Sequence, residues 1–303
     1  MSTRISIVVP LYECADTVAT LHERLSTALH DRFEDLEFVL VDDASPTGAT
    51  WAEVLRLAAL DPRVRGLRLD RNVRQTRATF AGLEVAKGQA LVVMDGDLEH
   101  PPELVPDMVA AFERGHDLVV AARTHDRRSP VRRAGRTIAH LAARAIGVTG
   151  PDVTSAFLLM SRALEPSYRA ELERTGVQLI LPVFLRLARR PVFIPFESSV
   201  RSDSGYRLGA LARIGWDFAV TYGPPRVAPL ASALAAGSVG YGLVRRRTVP
   251  LVVAAGVAGT ARWCRVRAVA DLRDRSEPLY VVGAQVGTGT PGTRRDSLIS
   301  DAG

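Results

Sequence analysis

The chain has almost no lysine. Of its 39 basic residues, Lys87 is the only one that is not arginine. A GC-rich genome accounts for that bias without any function, so where the arginines stand says more than how many there are. Arginine favours bidentate contact with phosphate. Cysteine is scarce too: Cys14 and Cys264 lie far apart with no CxxC spacing, which signals neither a disulfide framework nor a zinc site and makes a reduced setting the default. The six histidines show no HxxxH pair. Met1 to Arg4 runs straight into an apolar strand, so no export signal is expected ahead of it. Two uncharged apolar stretches, 227–244 and 248–261, have 18 and 14 residues. The first is marginal and the second too short for an upright membrane span of about 20 residues.

What is present is globular in character. The 303 residues are 47% hydrophobic and 24% charged with a net charge of +6, enough for one large or two ordinary domains. Ile5 to Pro10 is a β-branched run of strand type and leads to a helical stretch from about Ala15 to His30. Glu37 to Val41 reads as a second strand that delivers Asp42 and Asp43 at its end. A helix through Trp51 to Leu60, a strand over Val64 to Leu69 and a helix over Thr76 to Ala86 follow. Leu91 opens a fourth strand and Leu118 to Ala122 a fifth. This alternation predicts an α/β fold with a mostly parallel, doubly wound sheet. Further on, Asp152 to Met160 reads as a strand or strand-like connection, Pro191 to Pro195 as an edge strand, and Arg207 to Phe218 as an amphipathic helix.

The most informative stretch is LVVMDGDLEHPP, residues 91–102. An apolar strand ends there on Asp95 and Asp97 and stops at a proline pair that no strand or helix interior tolerates. Carboxylates leaving the C-terminal end of a buried strand sit where open α/β sheets bind ligands. Asp95, Asp97 and Glu99 are hard oxygen donors, suited to Mg²⁺ or Mn²⁺ and poorly suited to zinc. Pro10 to Glu13 and Asp42–Asp43 occupy the equivalent ends of the first and second strands, so one acidic cleft is expected. Taken singly, Asp42 is equally well explained as a helix cap, Tyr12 as packing on a loop, and DGD as a solvated turn.

PLYE, VDDAS, LDRN, AGLEVAKGQALVVMDGDLEHPPELV and DVTSAFLLMSR together resemble the family-2 glycosyltransferases of GT-A fold. Within these, the chain is most similar to the dolichol-phosphate mannose synthases and the bacterial polyprenyl-phosphate glycosyltransferases. The likeness covers residues 3 to 220, with an echo at GVAGT and EPLYVV between Gly256 and Val282. It implies a nucleotide-diphosphate-sugar donor, GDP-mannose or UDP-hexose, held by Pro10, Tyr12, Glu13, Asp42, Asp43, Arg71, Asp95 and Gly96. Asp95 and Asp97 match the metal-binding DxD, and Glu99 stands where the family often has a glutamine that reaches the metal. Catalysis is expected from Asp95, Asp97, Arg123 and Arg201.

Family members acting on a neutral hydroxyl usually carry a late Glu-Asp pair as general base, and none follows Asp97 here. A phosphate acceptor needs no proton removed, only cations to position it. The resemblance accordingly implies a polyprenyl phosphate acceptor held by Arg123, Arg133, Ser155 and Arg201, with Arg132 and Arg136 nearby. A solvated basic loop accounts for the same arginines, and Asp152 stays open as a base.

Several positions depart from the family pattern. After LDRN a glycine and small residues are usual, whereas this chain reads Val73-Arg74-Gln75-Thr76-Arg77. Ala156 and Leu158 replace a glycine and an arginine, and Arg201 to Tyr206 shortens the acceptor loop. Arg262-Trp263 imitates the QxxRW of processive synthases, but Gly259 holds the glutamine position. The expected layout is a GT-A domain over 1–222, an apolar helical, membrane-associated appendage over 223–287, and a disordered tail over 288–303. The resulting expectation is an inverting transferase at the cytoplasmic face of the membrane, peripherally attached. A soluble relative acting on a small molecule or another lipid is the alternative. Acidic strand tips and arginines without interleaved aromatics speak against nucleic acid as a partner.

Overall fold

The computed structural model describes residues 3–124, 144, 150, 155–175, 180–197 and 280–287. The chain begins as the alternation predicts: β1 (Ile5–Leu11), α1 (Val18–Ala28), β2 (Leu36–Asp42), α2 (Ala49–Leu60), β3 (Val64–Leu69), α3 (Gln75–Val85), β4 (Ala90–Val93), α4 (Val105–Glu113) and β5 (Leu118–Arg123). After the segment that lies outside the described residues come β6 (Leu158–Ser161), α5 (Glu165–Thr175), α6 (Ile180–Leu187) and β7 (Pro191–Phe196). The last element among the described residues is β8 (Val282–Val286).

The eight strands among the described residues form one sheet in the order β7-β5-β6-β4-β1-β2-β3-β8. β1 pairs in parallel with both β2 and β4, β2 with β3, and β5 with β7. Two strands run the other way: β6, between β4 and β5, and β8, on β3. The fold is thus the expected mostly parallel α/β sheet, with β6 reversed inside it. β7 lies at the edge, where its exposed prolines Pro191 and Pro195 leave no ladder bond unmade. β8 belongs to the sheet, although its residues fall at the end of the stretch expected to be helical. The rest of that stretch, the helix expected at 207–218 and the tail from 288 lie outside the described residues.

Strand periodicity sorts the core into two layers. Ile5, Ile7, Val9 and Leu11 of β1, with Phe38 and Leu40 of β2, face α1, α2 and α4 through Val18, Leu21, Leu25, Val54, Leu57, Met108 and Val109. Val8, Val39, Val41, Leu91 and Val93 face the other way, against Ala78, Ala81 and Leu83 of α3, Tyr168 of α5, and Val183 and Phe184 of α6. α3 carries small residues on this face because it lies very close to the sheet. A Cβ on Gly82 would stand 2.4 Å from Val8 Cγ1 and 3.0 Å from Val41 Cγ2. The parallel strands all direct their C-terminal ends to one rim, and the antiparallel β6 begins there.

Candidate active site

That rim collects the tips of β1, β2, β4 and β5. Asp42, at the end of β2, is fully buried. Its Oδ1 accepts the Ser45 backbone N–H at 3.1 Å. Its Oδ2 lies 3.4 Å from Arg68 Nε of β3 but receives no hydrogen bond of good geometry. A buried carboxylate oxygen without a donor is costly, and a ligand N–H would satisfy it. The next residue, Asp43, holds the β3–α3 connection by accepting the Val73 N–H at 2.7 Å. Burial raises the Asp43 pKa, and the hydrogen bonds from the Val73 and Arg74 N–H groups pull it back.

The β1 tip is tied to its neighbours by hydroxyl groups. Ser45 Oγ accepts the Glu13 N–H at 3.0 Å, and Thr50 Oγ1 accepts the Cys14 N–H at 3.1 Å. Thr17 donates its hydroxyl to the Gly96 carbonyl at 2.6 Å, joining the start of α1 to the DGD turn. Pro10 is buried, while Tyr12 is 47% exposed and leaves its ring at the rim.

At the β4 tip three carboxylates gather. The Asp95 side chain is 27% exposed, yet it is hemmed in by protein. Burial, followed by the charges of Asp97 and Glu99, pushes its pKa up to about 7, against the opposing hydrogen bond from Gln75 and the charge of Arg123. Gln75, the first residue of α3, donates its side-chain amide to Asp95 Oδ1. Asp97 is exposed, and its Oδ1 accepts the Glu99 N–H at 3.0 Å. Glu99 in turn lies 3.4 Å from Arg123 Nη2 at the tip of β5. The Arg123 guanidinium is 5.7 Å from the centroid of the Phe196 ring.

His100 closes the turn from beneath. Its Nδ1 accepts the Asp95 N–H at 3.2 Å, and its ring stacks on Phe157 at 5.0 Å. Burial, and then Arg123, lowers its pKa to about 3, so the ring is neutral and orders the turn.

Backbone strain collects at the same rim. Among the described residues the non-glycine positions with positive φ are Glu13 (54°), Ala44 (54°), Arg74 (72°) and Leu98 (63°), one after each of β1 to β4. Such conformations cluster where a site over-determines the chain.

Several expected site residues therefore stand together: Pro10, Tyr12, Glu13, Asp42, Asp43, Asp95, Gly96, Asp97, Glu99 and Arg123. Arg71 is exposed on the β3–α3 connection, and Ser155 stands just before β6, its Oγ accepting the Phe157 N–H at 3.2 Å. Arg133, Arg201, Arg132, Arg136, Asp152 and Tyr206 lie outside the described residues. The sequence reading missed Arg68, Gln75, Thr17 and Ser45. The signal for Gln75 was its place at the start of a helix facing the DGD turn; Arg68 gave none.

Among the described residues no three His, Cys, Asp or Glu side chains form a cage for a metal ion. The donors at the β4 tip are nonetheless all hard oxygens, and their mutual repulsion is what a divalent cation relieves. That arrangement suits an ion held by one or two carboxylates and completed by substrate phosphate oxygens.

The family model for glycosyl transferase family 2 matches residues 6–168, more than half of the chain. The chain belongs to that family. Among its relatives is the undecaprenyl-phosphate 4-deoxy-4-formamido-L-arabinose transferase of Edwardsiella ictaluri, 34% identical over 221 residues, which are 70% of this chain and 66% of the relative. The match thus spans just under two thirds of that relative's length. The glucosyl-3-phosphoglycerate synthase of Mycobacterium tuberculosis, solved with Mn²⁺, UDP-glucose and glycerol 3-phosphate, shares the fold at a TM-score of 0.51 and 18% identity, covering 74% of this chain and 82% of that one. The mannosyltransferase of Pyrobaculum calidifontis, solved with GDP-mannose and Mn²⁺, does so at 0.50 and 17%, over 90% and 84%. The fold of this family 2 member is the GT-A fold.

Proposed function

We propose that this protein transfers a hexose from a nucleotide-diphosphate sugar to a polyprenyl phosphate with inversion, using Mg²⁺ or Mn²⁺. The observation that carries the reading is the β4 tip, where burial and then the charges of Asp97 and Glu99 hold the Asp95 carboxyl poised near neutral pH. The undecaprenyl-phosphate relative supports the acceptor class.

Asp42 Oδ2 is an acceptor for a nucleobase N–H, with Arg68 beside it as a donor and Tyr12 as a ring to stack on. The ribose and diphosphate then extend toward Asp95 and Asp97. Asp95 and Asp97 would hold a divalent ion there, and it would supply positive charge against the charge that develops on the departing diphosphate. The acceptor phosphate oxygen attacks the anomeric carbon as the sugar–diphosphate bond breaks, and the nucleoside diphosphate leaves as an anion. No proton has to be removed from the nucleophile, so the acceptor side needs cations, and Arg123 faces it from β5. Glu99 holds that guanidinium in place at 3.4 Å until a phosphate competes for it.

A polyprenyl phosphate acceptor would put the reaction at a membrane surface, which we assign to the cytoplasmic face. No helix among the described residues is long and apolar enough to cross a membrane. Residues 227–261, which would lie on that surface, are outside the described part of the chain.

The test is a transfer assay with radiolabelled UDP- and GDP-sugars, Mn²⁺ and polyprenyl phosphates. The expected product is organic-extractable and acid-labile, and is lost in Asp97→Ala without a change in melting temperature. An exclusively water-soluble glycoside would transfer the reading to a small-molecule acceptor.

A further inference from the structure

Arg74 is the residue whose backbone conformation its type explains least. It has φ 72° and ψ 157°, a region that belongs almost wholly to glycine. The conformation is imposed from both sides. Upstream, Asp43 accepts the Val73 N–H at 2.7 Å and also the Arg74 N–H, which lies 3.2 Å from Asn72 Oδ1 as well. Downstream, the Arg74 carbonyl opens α3, accepting the N–H groups of Arg77 and Ala78 at 3.1 Å. The next side chain, Gln75, is fixed on Asp95. These anchors would hold a glycine in the same place without strain.

The chain instead carries arginine, whose side chain is exposed and makes no hydrogen bond or ion pair with any described residue. It stands between Val73, anchored on Asp43, and Gln75, anchored on Asp95, and so lies between the β2 tip and the β4 tip. A guanidinium there is well suited to phosphate oxygens.

We propose that Arg74 is a donor-binding residue, its guanidinium binding the diphosphate of the nucleoside diphosphate, at the cost of a strained backbone in the free protein. This rests on the donor reading given above and deepens it.

The experiment compares Arg74→Ala, which keeps the strain, with Arg74→Gly, which releases it. Both lose the guanidinium. UDP and GDP are titrated calorimetrically into each protein with Mn²⁺, and melting temperatures are measured without ligand. Both variants are expected to bind the preferred nucleotide on the order of tenfold more weakly. The dependence of binding on salt should also be shallower in both. Only Arg74→Gly should melt higher than wild type, by a few degrees.

Binding undiminished in both variants would overturn the proposal, and so would weak binding in Arg74→Ala that Arg74→Gly restores, since backbone conformation alone would then be at work. If the wild-type protein binds neither nucleotide, the donor reading fails and this one fails with it. The melting temperatures show that each variant is folded.

Discussion

Gln75 donates its side-chain amide to Asp95 across the cleft, linking the first turn of α3 to the tip of β4. The hydrogen bond favours the charged carboxylate against burial and against Asp97 and Glu99, which all disfavour it. Gln75→Leu removes that support at similar bulk. One hydrogen bond to a carboxylate contributes about 1 kcal/mol, and Asp95 is already half protonated at pH 7, so the affinity for Mn²⁺ there should fall roughly threefold. Because Gln75 is exposed, the fold should be little affected. Water-proton relaxation with Mn²⁺ measures the first effect and urea unfolding the second.

Metal binding should also depend on pH. With a pKa of about 7 in the free protein, Asp95 is increasingly protonated below neutrality, and a cation must displace that proton. The apparent affinity for Mn²⁺ should therefore be flat above about pH 8 and fall by up to tenfold per unit below pH 7. Asp95→Asn should bind weakly with no such slope. Titrations at pH 8, 7 and 6 decide the matter, and a slope that starts only near pH 4 would contradict it.

The strands and helices of residues 5–123 were legible because each repeats one simple pattern: an apolar run of strand length, a turn, then an amphipathic helix. The strand tips were legible for the same reason, since the end of an apolar run fixes where the next carboxylate stands. β6 was harder to place. LLM at Leu158–Met160 reads as a strand, but its reversal between β4 and β5 depends on a route through residues far from it in sequence. β8 was illegible, because VGAQV is short and weakly apolar and its pairing with β3 joins positions more than two hundred residues apart. Arg68 and Gln75 were missed because long side chains reaching across elements leave no periodic trace. The strain at Arg74 and Leu98 went unseen because sequence signals positive φ through glycine, and these positions have none.

Two groups at the β4 tip should set the acid response of the metal-free protein. His100, held neutral with a pKa lowered to about 3, takes a proton in the unfolded chain near pH 6.5 but not in the fold. Its contribution to stability is therefore present above pH 6.5 and is lost as pH falls toward 3. Asp95 acts in the opposite direction. Its folded pKa of about 7 exceeds the unfolded 3.8, so protonation stabilises the fold as pH falls from 7 to about 4. The two nearly cancel between pH 6.5 and 5. Asp95→Asn removes one side of that balance and should lose about 1.5 kcal/mol more than wild type over this interval. Urea midpoints in the presence of a chelator measure it.

Gly96 sits where the DGD turn passes under the β1 tip, and a Cβ there would stand 2.5 Å from Leu11 Cδ2 and 3.4 Å from Cys14 Sγ. Leu11 is buried and has little room to yield. Gly96→Ala should therefore push the β4 tip away from β1 and strain the Thr17 bond to the Gly96 carbonyl, now 2.6 Å. Overpacking of this kind costs about 1–3 kcal/mol. The larger effect should be on donor binding, because the carboxylates of Asp95 and Asp97 and the Tyr12 ring must meet one ligand. Leu11→Ala opens a cavity by itself and is destabilising. Combined with Gly96→Ala it frees the space the new methyl needs, so the double variant should be more stable than the sum of the two single losses. A double-mutant cycle in urea with a coupling near zero would show that the turn adapts without touching Leu11.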